Sequence, residues 1–210
     1  MPQSRTRASQ SEAAGRIVSW RDDFSLPENT KLNLFVVGPP GVGKTTALNL
    51  LLDKWSMSLV EKPKWTLSPP VAMVGHYGLG TFGGGDTVPY DGATDAVMYW
   101  SKHLLPDPRY SFFVFDGDRF STKNVLSLVS VQSLDHSDLI NPSICVHLTA
   151  TPEALLERRS KRGSSQNEIW MKGRATKARR FAEHFGPDAV EIDTTNMTPE
   201  QVADVLKKII

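Results

Sequence analysis

Cysteine is nearly missing from this chain. Cys145 is the only one in 210 residues, and it sits inside an apolar run where a core residue belongs. That excludes a disulfide framework and makes a reducing compartment the natural setting. No Cys/His cluster has zinc spacing, and no Gly-x-Ser-x-Gly elbow marks a hydrolase nucleophile. Long apolar runs are lacking too. None approaches the roughly 18 residues that a membrane span requires, and no apolar core of the signal-peptide type stands near the N-terminus. The sequence therefore predicts a cytosolic protein without a membrane partner. Charge of one sign is also scarce: 24 Lys and Arg against 23 Asp and Glu leave a formal charge of +1. Such a balance gives no overall pull on a polyanion, although local patches still count.

Hydrophobic content of 40% and charged content of 22% are those of a soluble globular domain. Residues 1–28 read as a flexible polar arm, on which Arg5, Arg7 and Arg16 either touch nucleic acid or are simply solvated. Residues 29–210 read as one domain of alternating strands and helices. Strands are expected at Leu32–Val37, Val71–His76, Phe112–Phe115, Ile144–Leu148 and Ala189–Ile192. Helices are expected at Lys44–Trp55, Gly92–Leu104, Pro152–Lys161, Asn167–Phe185 and Pro199–Ile210, the last capped by Thr198. This alternation predicts an α/β fold: a five-stranded parallel sheet with helices on both faces, a three-layer sandwich.

Between the first strand and first helix lies Gly38-Pro39-Pro40-Gly41-Val42-Gly43-Lys44-Thr45, followed by Thr46. It fits G-x-x-x-x-G-K-[ST], a loop whose glycines let successive N–H groups face phosphate oxygens. Lys44 then reaches the β and γ phosphates, and the Thr45 hydroxyl is placed to ligate Mg²⁺. A nucleoside-triphosphate site is expected here, with ATP and Mg²⁺ as its occupants. The third strand ends in Asp116, a second candidate for the metal, and Asp118 and Arg119 follow on the same loop. One carboxylate there would serve the metal and the other accept a proton, while Arg119 steadies phosphate charge.

Gly78 to Asp91 is too rich in glycine for a helix or central strand, and it carries Asp86. It reads either as a floppy loop or as a segment approaching substrate at the carboxyl edge of the sheet. From Glu157 to Arg180 nine basic residues meet only Glu157 and Glu168. This stretch is either a solvated basic face or a lid closing arginines over the phosphates, with Arg158, Arg162, Arg174 and Lys177 as the candidates. Thr195 and Asn196 are candidates for base contact or members of a polar loop. His76 is placed to line the pocket and His147 to sit in the core. Trp100, Tyr77, Phe82 and Tyr90 are candidates either for stacking or for the core.

An Asn-Lys-x-Asp element and an Asp-x-x-Gly switch, which a GTPase needs, are both missing, and a motor-type ATPase needs more chain. The sequence from about residue 31 resembles the nucleoside and nucleotide kinase branch of P-loop proteins, thymidylate kinase included. That resemblance implies sheet order 2-3-1-4-5 and an Arg-rich lid at about 157–180 within a single P-loop kinase domain. A narrower one rests on Gly78–Pro89, on Phe115-Asp116-Gly117-Asp118-Arg119-Phe120, and on Arg158–Lys177 with Gln166, Lys172-Gly173-Arg174 and Thr176-Lys177. These segments are similar to ones in bacteriophage kinases that phosphorylate 5-hydroxymethyluracil in DNA. Gly85 and Asp116 depart from that group, which carries Thr and Glu at the two places. The resemblance implies a DNA acceptor and host cytoplasm, with Asp86 facing the acceptor and Asp116 or Asp118 orienting its hydroxyl. The alternatives are a kinase of free nucleosides or nucleoside monophosphates and a nucleotide-gated binding protein.

Overall fold

A computed structural model describes residues 29–78, 83–136, 138–164 and 166–210. The expected arm at 1–28 and the stacking candidate Phe82 lie outside these residues. The strands are β1 (Leu32–Val37), β2 (Ser58–Glu61), β3 (Lys64–Ser68), β4 (Val71–Val74), β5 (Phe112–Asp116), β6 (Ser143–Thr149) and β7 (Ala189–Asp193). The helices are α1 (Lys44–Asn49), α2 (Ala93–Tyr99), α3 (Lys123–Leu134), α4 (Pro152–Lys161), α5 (Glu168–Ala182) and α6 (Pro199–Ile209).

The expected five-stranded sheet is corrected to seven strands, in the order β2-β3-β4-β5-β1-β6-β7. From β4 to β7 along that order all neighbours are parallel, whereas β2, β3 and β4 pair antiparallel. Numbering the parallel strands alone along the chain gives 2-3-1-4-5. The two extra strands lie in a proline-bearing stretch between the first expected helix and the strand at Val71. Lys62-Pro63 and Pro69-Pro70 occupy the two-residue gaps on either side of β3, so the prolines punctuate hairpins and leave the ladders free. Between them Trp65 is fully buried and meets Phe115 edge-on, with ring centroids 5.8 Å apart.

Alternation along β1 sends Phe35 and Val37 to one face and Leu34 and Val36 to the other. On the first face they join residues of α2, α3 and α5, including Ala96, Val129 and Phe181. On the second they join Ala47 and Leu48 of α1 and Val202 and Leu206 of α6. Helices thus cover both faces of the sheet. Phe35 stacks on Phe115 with centroids 5.0 Å apart, and each such fully buried side chain contributes about 1.5–3 kcal/mol.

Three helical expectations change. α1 stops at Asn49, not Trp55: the Asn49 side chain accepts from the Gly78 N–H, and the Asp53 N–H donates to Ser68, which turns the chain toward β2. α3 was not foreseen from its Ser-rich sequence, though Thr122 caps it by accepting from the Val125 N–H. The expected Gly92–Leu104 helix is α2 followed by a wider π-type turn through Trp100–Leu104. Among the described residues no helix is long and apolar enough to cross a membrane.

Candidate active site

The loop joining β1 to α1 holds Gly38, Gly41 and Gly43 at φ of 150°, 87° and 102°, the last two in the left-handed region that favours glycine. A Cβ on Gly38 would lie 2.3 Å from the Leu148 carbonyl oxygen, so β6 fixes the loop's path at its first residue. The Val42 N–H closes a turn onto the Pro39 carbonyl at 3.3 Å. The N–H groups of Gly41, Gly43, Lys44 and Thr45 have no acceptor among the described residues. The Lys44 ammonium folds over the loop and donates to the Gly38 and Pro39 carbonyls at 2.8 and 3.2 Å. Burial lowers its pKa, and the charges of Asp116 and Asp86 oppose that shift. Thr46 is exposed at the top of the helix.

Asp116, at the carboxyl end of β5, is 2% exposed. Its Oδ2 accepts a hydrogen bond from the Tyr77 hydroxyl at 2.9 Å, while its Oδ1 is buried with no partner among the described residues. Burial raises its pKa; Lys44 and the Tyr77 hydrogen bond work in the other direction. Burial also pushes the Tyr77 phenol well above its ordinary pKa, so the hydroxyl keeps its proton and donates.

Gly84 marks where the parts converge. A Cβ there would lie 2.8 Å from Asp116 Oδ2, 3.2 Å from Thr45 Oγ1 and 3.3 Å from the Tyr77 hydroxyl. The neighbouring Gly85 is tighter still, its hypothetical Cβ falling 1.9 Å from the Asp116 carbonyl oxygen. Gly84 and Gly85 therefore permit close approach, but to the protein's own β5 end. Hydrogen bonds from Gly84 N–H to the His76 carbonyl (2.6 Å) and from Thr87 Oγ1 to the Gly84 carbonyl (2.8 Å) hold this part of the segment in place. The floppy-loop reading does not describe residues 83–87.

Arg119 donates from Nη1 to the carbonyls of Gly85 (3.2 Å) and Asp86, which fastens the glycine segment to the β5 loop. Its Nε is buried without a partner. The Asp86 carboxylate stands 3.9 Å from that guanidinium and is 80% exposed. Asp118 points elsewhere: its Oδ2 pairs with Arg174 Nη1 and, at 3.1 Å, with Lys177 Nζ. It is not among the charges acting on Lys44.

The basic stretch divides three ways. Arg162, beyond the end of α4, adds its charge to the surroundings of Lys44. Arg158 spends its donors on Thr194 Oγ1 (3.1 Å), the Thr194 carbonyl (2.5 Å) and the Thr195 carbonyl (3.3 Å). Arg174 pairs with Asp118 and lies 4.8 Å over the Trp170 ring.

Several expectations are redirected. His76 does not line the site; it is buried and its Nε2 hydrogen-bonds the Val60 carbonyl at 3.0 Å, holding β2. His147 is buried and meets Glu191 at 3.1 Å. Trp100 and Tyr77 are fully buried and cannot stack on a ligand, whereas Tyr90 is 77% exposed. Thr195 Oγ1 is engaged by Asp193 at 2.5 Å and by the Thr151 N–H at 3.0 Å, and Asn196 is exposed. Two functional positions escaped sequence reasoning. The Tyr77–Asp116 bond joins residues 39 apart, with no local signal. The fully buried Thr194, within 3.2 Å of the Val42 carbonyl and 3.0 Å of the Thr149 carbonyl, ties the glycine loop to β6 and β7.

No protein-family model matches the chain, and no curated protein sequence matches it either. Among the described residues no group of three or more His, Cys, Asp or Glu could hold a metal by itself. A Mg²⁺ ion does not need such a cage. It takes one or two protein oxygens and fills the remaining positions with water and phosphate. Thr45 Oγ1, with the unfilled Asp116 Oδ1, is a hard-oxygen donor set of that kind.

Proposed function

We propose that the protein is an ATP-dependent P-loop kinase that delivers the γ-phosphoryl group to a primary alcohol, the hydroxymethyl group of 5-hydroxymethyluracil in DNA. One observation carries the phosphotransfer reading. A buried carboxylate with an unfilled oxygen, a threonine hydroxyl and a lysine ammonium meet beside a loop whose N–H groups lack acceptors. Burying charge and polar groups without partners costs several kcal/mol, and a bound nucleotide–metal complex removes that cost. The choice of acceptor rests on the motif resemblance of Gly78–Pro89, Phe115–Phe120 and Arg158–Lys177.

On this reading the loop N–H groups and Lys44 bind the β and γ phosphates, and Arg162 supports them from α4. Thr45 and Asp116 hold Mg²⁺, which supplies charge neutralisation of the phosphates. Tyr77, by donating to Oδ2, would hold the orientation of the Asp116 carboxylate. Asp86, exposed and close to Arg119, is the carboxylate best placed to accept the acceptor's proton. As the acceptor oxygen bonds to the γ-phosphorus, the bond to ADP breaks and the proton passes to Asp86. Asp118 holds the cations of α5. An acceptor base within duplex DNA is flipped out to reach this site.

The test is incubation with γ-labelled ATP and either hydroxymethyluracil-containing DNA or free nucleosides and nucleotides. Label on the polymer is expected. Label on monomers alone would transfer the reading to a free-nucleotide kinase. ATP binding without label on any acceptor would leave a nucleotide-gated binding protein.

A further inference from the structure

A cleft of about 510 Å³ runs between the start of α3 and one stripe of α5. One wall comes from Gly173, Thr176, Lys177 and Arg180, three or four apart on one face of α5, with Phe181 and, just past the helix end, His184. The opposite wall is Ser121, Thr122 and Lys123. Three basic side chains and a histidine thus converge, and among the described residues no carboxylate lines the cleft. Lys123 and Arg180 are exposed and have no ion-pair partner among the described residues. Glu183, the acid nearest in sequence, is engaged by Arg179 at 2.9 Å. The cleft on the other flank of α5 is different: Glu153 and Glu168 stand there among Arg159, Lys172 and Arg179. A solvated helix face would be expected to mix its charges in that way on both flanks.

We propose that the cleft between α3 and α5 binds a phosphate group of the acceptor. Lys177 is the link: it lines the cleft and also touches Asp118 through both the carboxylate, at 3.1 Å, and the main-chain carbonyl, at 2.8 Å. A chain of phosphates entering past Lys123 and Arg180 therefore ends beside the β5 loop. The site deepens the kinase reading, on which the word acceptor rests, but phosphate binding itself does not depend on transfer. The phosphate belongs either to the backbone of a polynucleotide or to the 5′-phosphate of a free nucleotide.

The experiment measures fluorescence anisotropy of a labelled single-stranded oligonucleotide on the full chain, with unlabelled nucleoside 5′-monophosphate as competitor. The Lys123→Ala/Arg180→Ala double variant is compared with Lys207→Ala/Lys208→Ala, which removes the same charge from α6. Both pairs are exposed, so the fold survives, and circular dichroism checks this. The cleft variant is expected to bind at least about tenfold more weakly, with the salt slope reduced by about 0.7 for each cation removed. The α6 variant is expected to bind as the parent does. Displacement of the oligonucleotide by the monophosphate at comparable concentration assigns the site to a nucleotide phosphate; resistance to it assigns the site to a polymer backbone. Equal weakening in both variants, no weakening in either, or no binding of either probe by the parent overturns the proposal. Absence of kinase activity, in contrast, would leave this binding result standing.

Discussion

Around Asp116 the polar groups are buried and short of partners among the described residues, whereas several charges of α4 and α5 are partly or fully exposed and answered by nearby ones. Among the described residues Asp116 Oδ1 and Arg119 Nε have no hydrogen bond, and Lys44 donates to carbonyls of its own loop. On the helices, Arg174 and Lys177 share Asp118, Arg179 holds Glu183, and Lys161 holds Glu157 at 2.6 Å. Exposed pairs of the second kind contribute only about 0–1 kcal/mol each. Unpartnered groups of the first kind cost stability until something binds them. The two regions carry similar residue types and differ in how far burial withholds partners from them.

The largest expected effect comes from Lys44→Ala, which should lower phosphoryl transfer by about a thousandfold while the far-ultraviolet circular dichroism stays unchanged. Turnover near that of the parent would remove the glycine loop from the chemistry. Asp116→Asn comes next, with a loss on the order of a hundredfold or more in Mg²⁺-dependent transfer. The same variant has a signature in stability. Burial raises the Asp116 pKa, so the native state holds that proton more tightly than the unfolded chain does. The contribution to stability is present at acid pH and is lost as pH rises through the raised value. Thermal unfolding across pH should therefore show Asp116→Asn gaining on the parent as pH increases. A constant or shrinking difference would mean that the carboxylate is not held at a desolvation cost.

Tyr77→Phe sharpens the contrast at smaller scale. It removes one hydroxyl from a fully buried ring and leaves Asp116 without its donor. Partners of metal ligands typically contribute 10- to 100-fold to metal affinity, so Mn²⁺ binding read by electron paramagnetic resonance should weaken by about tenfold. An unchanged affinity would make the tyrosine a packing residue only. Asp118→Asn should matter least. Its partners are partly exposed, and the loss in transfer should stay within about fivefold, the kinetic equivalent of 1 kcal/mol. A hundredfold loss would instead make Asp118 the proton acceptor and move the catalytic centre toward α5.

What the sequence discloses follows the same division. The glycine loop, the apolar strand ending in Asp116 and the Pro199 helix are local patterns, and each stands where periodicity and capping place it. The hairpin of β2 and β3 gives little local signal, because proline ordinarily breaks strands and here occupies the gaps between them. Pairings such as Tyr77 with Asp116, Arg158 with Thr194 and Lys177 with Asp118 join residues far apart in the chain. No spacing rule foretells them, because they depend on which strand lies beside which. The basic stretch shows the limit most plainly: its arginines look alike in the sequence, yet only Arg162 adds its charge to the surroundings of Lys44.

The crowding at Gly84 and Gly85 bears on how such a protein can diversify. Any side chain at either place collides with the Asp116 carboxylate or its carbonyl, so on the proposed kinase reading mutation there would not retune the acceptor without displacing Asp116. Drift toward new acceptors would on that reading run through the open positions nearby, Asp86 and Tyr90, while the two glycines stay fixed.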